Sequence, residues 1–231
     1  MVKDKTIEPW VCQCGTHNPE YKLLCKQCGR RREEEKNWKG THGKTFAIIG
    51  ASNHAKHERE KDDYYATEPR VIQELFSVEE FSNNIWEPAC GEKHLSSEME
   101  WLGKKVLSSD KVARVHGVVA YDFLSEKTWH FNGDIITNPP YKYAMEFIEK
   151  AYKQINHGRK IAMFLKITFL EGVKRHHFFK AYPPKTVHVY SSRRKCALNG
   201  DFDNTGGSPT CYAWYVWEKG YQGETTLKWL K

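Results

Sequence analysis

No apolar run in this chain of 231 residues approaches the length needed to cross a bilayer, and no hydrophobic leader is visible. These absences argue against a membrane enzyme or a secreted protein; the expectation is a soluble, cytoplasmic one. Acidic residues are outnumbered, 29 against 36 Lys and Arg, for a net charge of +7. That balance favours a polyanionic partner, although it also serves plain solubility. Cysteine totals seven. An odd count fits a reducing compartment better than a disulfide framework. The length allows one α/β domain and a small additional module.

The small module is expected over residues 8–30. Cys12 and Cys14, then Cys25 and Cys28, lie in a segment too short to bury a core, which must fold around a metal or a partner. Two close pairs suit tetrahedral zinc, with Gly15 and Gly29 permitting tight turns, and scattered free thiols are the competing reading. With Trp10 and Asn18, the spacing resembles the Ran-binding-protein-type zinc finger, whose members bind single-stranded RNA or protein partners. The first pair has one intervening residue where two or more are usual. Cys90, Cys196 and Cys211 have no such spacing and are expected as packed thiols. A charged tether over 31–45 follows, and its arginines can also grip phosphates.

Asp134-Ile135-Ile136-Thr137 reads as a buried strand, and Asn138-Pro139-Pro140-Tyr141 follows it directly. The exocyclic amine of a nucleobase is a poor nucleophile because its lone pair is delocalised into the ring. The Asn138 amide oxygen and the Pro139 carbonyl can accept its two N–H bonds and turn the nitrogen towards tetrahedral geometry. Pro139 and Pro140 stiffen the loop and fix the direction of that carbonyl, and Tyr141 offers a face for a base that has left its duplex. The same four residues also suit an ordinary Pro-Pro turn.

Upstream, Ile85-Trp86 run into Glu87-Pro88-Ala89-Cys90-Gly91 and a helix-compatible stretch from Leu95 to Leu102. Strand, tight turn and helix start suggest a nucleotide-cofactor site at the carboxyl edge of a sheet. Lys105 to Leu107 reads as the next strand, ending at Asp110, which is placed to accept from ribose hydroxyls. Gly117 to Ala120 leads to Asp122 and Phe123, where Asp122 can accept from an adenine amine.

In this order the segments resemble the S-adenosylmethionine-dependent amino-methyltransferases, most closely the phage and prophage type that methylates the 6-amino group of adenine in DNA. The resemblance covers residue 46 to the last residue. It implies an α/β, Rossmann-like methyltransferase sheet ending in an antiparallel hairpin, with the zinc-finger module beside it. It also implies a home in a phage or prophage acting inside a bacterial host. Tyr65, Thr67 and Pro69 would pack on the methionine part of the cofactor. Glu87, Pro88, Ala89 and Gly91 would lie near its amino and carboxylate end, Asp110 at the ribose, and Asp122 and Phe123 at its adenine. Asn138, bordering the cofactor, would hold the target base with Pro139 and Tyr141. Glu92-Lys93-His94 stand where many members have a second glycine, and Lys93 is expected to restrict the backbone.

Thr186 to Tyr190 and Ala213 to Trp217 read as two strands around a polar loop. In the family this hairpin borders the active-site edge, so Arg193, Arg194, Lys195 and Phe202 are expected to face DNA, together with Asn199 and Asp201. No separate stretch is long enough for a target-recognition domain, and His176 and His177 are read as surface or helix residues. The alternatives are an RNA amino-methyltransferase acting on adenine or guanine, a glutamine methyltransferase of proteins, and a non-catalytic nucleic-acid-binding module whose cofactor site has decayed.

Overall fold

Asp134–Thr137 is buried at all four positions, as expected of a central strand covered on both faces. A computed structural model describes residues 10–12, 14–18, 27, 65–192, 194, 196–198 and 210–231. Cys25, Cys28, the tether over 31–45, the segment 46–64, Arg193, Lys195, Asn199, Asp201 and Phe202 lie outside the described residues. The chain divides into two units, Met1–Phe46 and Ala47–Lys231.

In the first unit, β1 (Trp10–Val11) pairs antiparallel with β2 (His17–Asn18). The Gly15 N–H donates to the Cys12 carbonyl at 2.8 Å and closes the turn, with Gly15 at φ 82°. Cys12 is buried and Cys14 exposed. The buried Asn18 amide donates to the Thr16 carbonyl at 2.9 Å.

In the second unit, β3 (Tyr65–Thr67) and α1 (Arg70–Phe76) precede β4 (Asn84–Glu87), α2 (His94–Trp101), β5 (Lys105–Asp110) and β6 (Val119–Ala120). Then come β7 (Asp134–Thr137), α3 (Ala144–Gln154), β8 (Lys160–Lys166), α4 (Val173–Ala181), β9 (Thr186–Tyr190), β10 (Cys196–Leu198), β11 (Tyr212–Glu218) and β12 (Thr226–Leu230). The eight-stranded sheet runs β12-β9-β11-β8-β7-β4-β5-β6. Only β11 opposes its neighbours, pairing antiparallel with both β8 and β9, as expected of the terminal hairpin. β12 was not anticipated; it extends the sheet by pairing parallel to β9.

Alternate residues along the strands feed two cores, one on each face of the sheet. Trp86, Ile135, Met163, Leu165, Tyr215 and Trp217 join Phe147 and Ile148 of α3. Their neighbours Ile85, Ile136, Phe164, Trp214 and Val216 join Val71, Ile72 and Leu75 of α1 and Met99 of α2. Both faces of the central strands are therefore closed by helices, and only the strand ends are left for a site. From β4 the chain steps outward to β5 and β6, whereas β7 and β8 step the other way. The β4–β7 boundary is thus the switch point at which open α/β sheets hold ligands, beyond the carboxyl ends of the strands.

Candidate active site

A pocket of about 470 Å³ opens at that boundary. Its walls come from the ends of four parallel strands: Glu87 to Ala89 after β4, Asp110 after β5, Asp122 and Phe123 after β6, and Asn138 to Tyr141 after β7. Segments spread over 55 residues, Glu87 to Tyr141, meet here because each leaves its strand at the same edge.

Glu87 is 2% exposed and accepts from the Ser96 hydroxyl, which in turn accepts from the Ser108 hydroxyl at 2.7 Å. Burial pushes the Glu87 carboxyl up to about 8, against the pull of the Ser96 hydrogen bonds, and the neighbouring Asp110 charge adds to the rise. The folded protein therefore holds this proton through a range in which the unfolded chain has lost it. Stability contributed by the neutral carboxyl falls as pH rises from about 4.5 to 8. Glu87→Gln removes the titration, so the variant gains on the parent by about 1 kcal/mol per pH unit across that window. Urea midpoints at several pH values read this directly, and parallel curves would refute it.

Asp110 is committed on several sides. Its Oδ2 accepts from the Gly91 N–H at 2.8 Å, and its Oδ1 accepts from the Val112 N–H at 3.0 Å and from Arg114 at 3.2 Å. Arg114, a pocket residue that no motif announced, is visible in the sequence only through its four-residue spacing from Asp110. Asp122 accepts from the Leu124 N–H at 3.0 Å and pairs with Lys111 at 3.1 Å. Phe123 is buried and meets Trp86 edge-on at 5.2 Å; with Phe147 it forms an apolar wall. The Cys90 thiol is buried beside Glu87 and Asp110; burial first, and then the charge of those two groups, pushes it up.

Lys93 adopts φ 67°, ψ 23°, directly before α2. The backbone thus takes the left-handed turn for which glycine is usual and carries a side chain through it, at about 1 kcal/mol. Its ammonium reaches Glu100 at 3.1 Å.

Around Asn138 the structure adds a tie that sequence reading missed. The Asn138 Nδ2 donates to the hydroxyl of the buried Thr67 at 2.8 Å. That bond ties the amide to β3 through its nitrogen end. Pro139 is buried and Pro140 half-buried. Tyr141 borders the pocket, with the Lys166 ammonium 5.0 Å from its ring centre and Tyr212 at 6.2 Å.

Three expected positions differ. Pro69 caps the start of α1, and neither it nor Gly91 is among the residues lining the pocket. Arg194 is 8% exposed and does not face outward as the hairpin reading supposed. Its guanidinium pairs with Glu74 of α1 at 2.8 Å, lies 4.5 Å from the Tyr190 ring centre and donates to the Lys231 carbonyl. A carboxylate brought by α1 and an aromatic floor make it a clamp between elements. The adjoining residues form β10, which pairs antiparallel with β3, Cys196 opposite Thr67. Tyr65 is the first residue of β3, opposite Leu198.

Among the described residues there is no cluster of three or more His, Cys, Asp or Glu placed to hold a metal ion, and no helix is long and apolar enough to cross a membrane.

No family model and no curated protein matches the chain. A putative class I S-adenosylmethionine-dependent methyltransferase from Listeria monocytogenes superposes with a TM-score of 0.53 at 16% identity, over 81% of this chain and 71% of that one. The chain has a class I methyltransferase fold. An S-adenosylmethionine-dependent O-methyltransferase from Thermotoga maritima gives a TM-score of 0.46 at 14% identity, covering 77% of this chain and 73% of that one. A modification subunit of a putative type I restriction enzyme from Vibrio vulnificus YJ016 gives 0.48 at 13% identity over 70% of this chain, which spans 45% of that subunit. Within this methyltransferase fold the pocket lies at the topological switch point, where the Asn138 loop meets the β4 turn.

Proposed function

We propose that this protein transfers a methyl group from S-adenosylmethionine to the 6-amino group of adenine in DNA. The observation that carries the reading is the Asn138 amide, held by Thr67 at the mouth of a switch-point pocket and followed by Pro139 and Tyr141.

The pocket suits the cofactor by size and lining: about 470 Å³, with the acids Glu87, Asp110 and Asp122 and the apolar rings of Phe123 and Phe147 among its walls. Glu87 and the Gly91 turn would hold the amino-acid end, Asp110 the ribose, and Asp122 with Phe123 the adenine. When bound, S-adenosylmethionine supplies an electrophilic methyl group on a sulfonium sulfur. The Asn138 amide oxygen and the Pro139 carbonyl accept the two N–H bonds of the target amine and orient its lone pair. Tyr141 stacks on the extruded ring. The nitrogen gains the methyl group, the sulfur keeps the bonding pair as a thioether, and the amine releases one proton to solvent. Catalysis is then mostly positioning.

Cys12, Cys14, Cys25 and Cys28 are proposed as ligands of a structural zinc. Of these, Cys12 and Cys14 stand on one hairpin turn, Cys12 buried and Cys14 exposed.

The test is incubation of the purified protein with S-adenosylmethionine, unmethylated duplex DNA and total RNA, followed by digestion and mass spectrometry of the nucleosides. Methylated deoxyadenosine is the expected product. Methylation confined to RNA would move the substrate to that polymer, and none in either would remove the reading.

A further inference from the structure

A base extruded from a duplex leaves its flanking phosphates to be gripped, and a surface suited to that task lies outside the pocket. This inference rests on the reading of the chain as a DNA methyltransferase. β7 and β8 run parallel, so Lys166, at the end of β8, emerges at the same edge as Asn138. From Lys166 the chain makes a short 3-10 turn, Ile167–Leu170, and enters α4 at Val173.

The inner face of α4 is accounted for. Phe178 is buried and Phe179 half-buried, and the Arg175 guanidinium lies 5.4 Å from the ring centre of Phe169 and donates to the Glu171 carbonyl. The outer face is different. Val173, Lys174, His176, His177 and Lys180 are all exposed, and the helix contains no acid. The nearest acid along the chain is the exposed Glu171 before its start. Val173 is 79% exposed and Leu170 42%. Solvation explains the lysines but not a nearly bare valine beside an open leucine. Cations with apolar tips between them suit a duplex, where phosphates take the charge and a thymine methyl takes the apolar contact.

We propose that the exposed face of α4, continuing through Leu170 towards Lys166, is a docking surface for the duplex DNA that carries the target adenine. It supplies grip on the DNA backbone beside the pocket.

The test uses the full chain with Lys174→Gln, His176→Gln, His177→Gln and Lys180→Gln combined. Because these side chains are exposed, the thermal midpoint should match the parent. The slope of log Kd for duplex DNA against log salt should become shallower by about two, one for each lysine lost. At about 0.1 M salt the KM for DNA should rise roughly tenfold, with kcat at saturating DNA and cofactor affinity unchanged. An unchanged salt slope would overturn the proposal, as would a matching loss of cofactor affinity or thermal midpoint, which would mark a structural role. Binding is read without turnover. If the parent methylates no nucleic acid yet the slope still changes, the surface stands and the enzymatic reading falls.

Discussion

Asn138→Ala is expected to lower kcat for methyl transfer about a thousandfold, the scale seen when one preorganised polar group aimed at a transition state is removed. The Kd for S-adenosylmethionine should stay within about threefold, because the loss falls on an interaction made by the target amine. The effect is large for a single side chain because the amide is held in place before substrate arrives, its nitrogen donating to the Thr67 hydroxyl at 2.8 Å. Asn138→Asp keeps an acceptor and should recover part of the rate. Rapid-quench turnover with isothermal titration of the cofactor separates the two quantities. Equal losses in both would sink the assigned role.

The second large effect is on folding. Glu79→Ala should cost about 3 kcal/mol, because it leaves the buried His188 imidazole and the partly buried Lys160 cation without their partner. Glu79 pairs with Lys160 at 2.7 Å and with His188 Nε2 at 3.0 Å, and the His188 side chain is 1% exposed. Burial works to raise the Glu79 carboxyl, but hydrogen bonds and charge from His188 and Lys160 win and hold it down to about 2. The unfolded chain titrates near 4.5, so this stabilisation is complete above that pH and is lost as pH falls towards 2. Urea unfolding should therefore show the full deficit of the variant at pH 7 and a smaller one at pH 3. A deficit at pH 7 below about 1 kcal/mol would mean the network contributes little.

Much of this architecture is written locally. The runs around Ile135, Trp86, Phe164 and Trp214 are apolar at consecutive positions because helices cover both faces of those strands, and that signal survives without any tertiary knowledge. β12 is illegible for the opposite reason: four of its five residues are exposed, so an edge strand held by backbone bonds leaves no periodicity. The acids of the pocket are legible by type and order, but their state is not. Burial at the strand ends raises the Glu87 carboxyl, against the hydrogen bonds from Ser96, and no local pattern announces that enclosure. Arg194 misleads for the same cause. A basic residue in a polar loop suggests phosphate contact until α1, far upstream, delivers Glu74 against it.

Thr67 belongs to two structures at once. Its backbone pairs with Cys196 in the β3–β10 ladder, and its hydroxyl receives the amide of Asn138. The segment that follows β9 and the loop that follows β7 are thereby geared together through a single residue. A displacement of β10 is passed through Thr67 to the Asn138 amide, so the strand pairing and the amide are adjusted together.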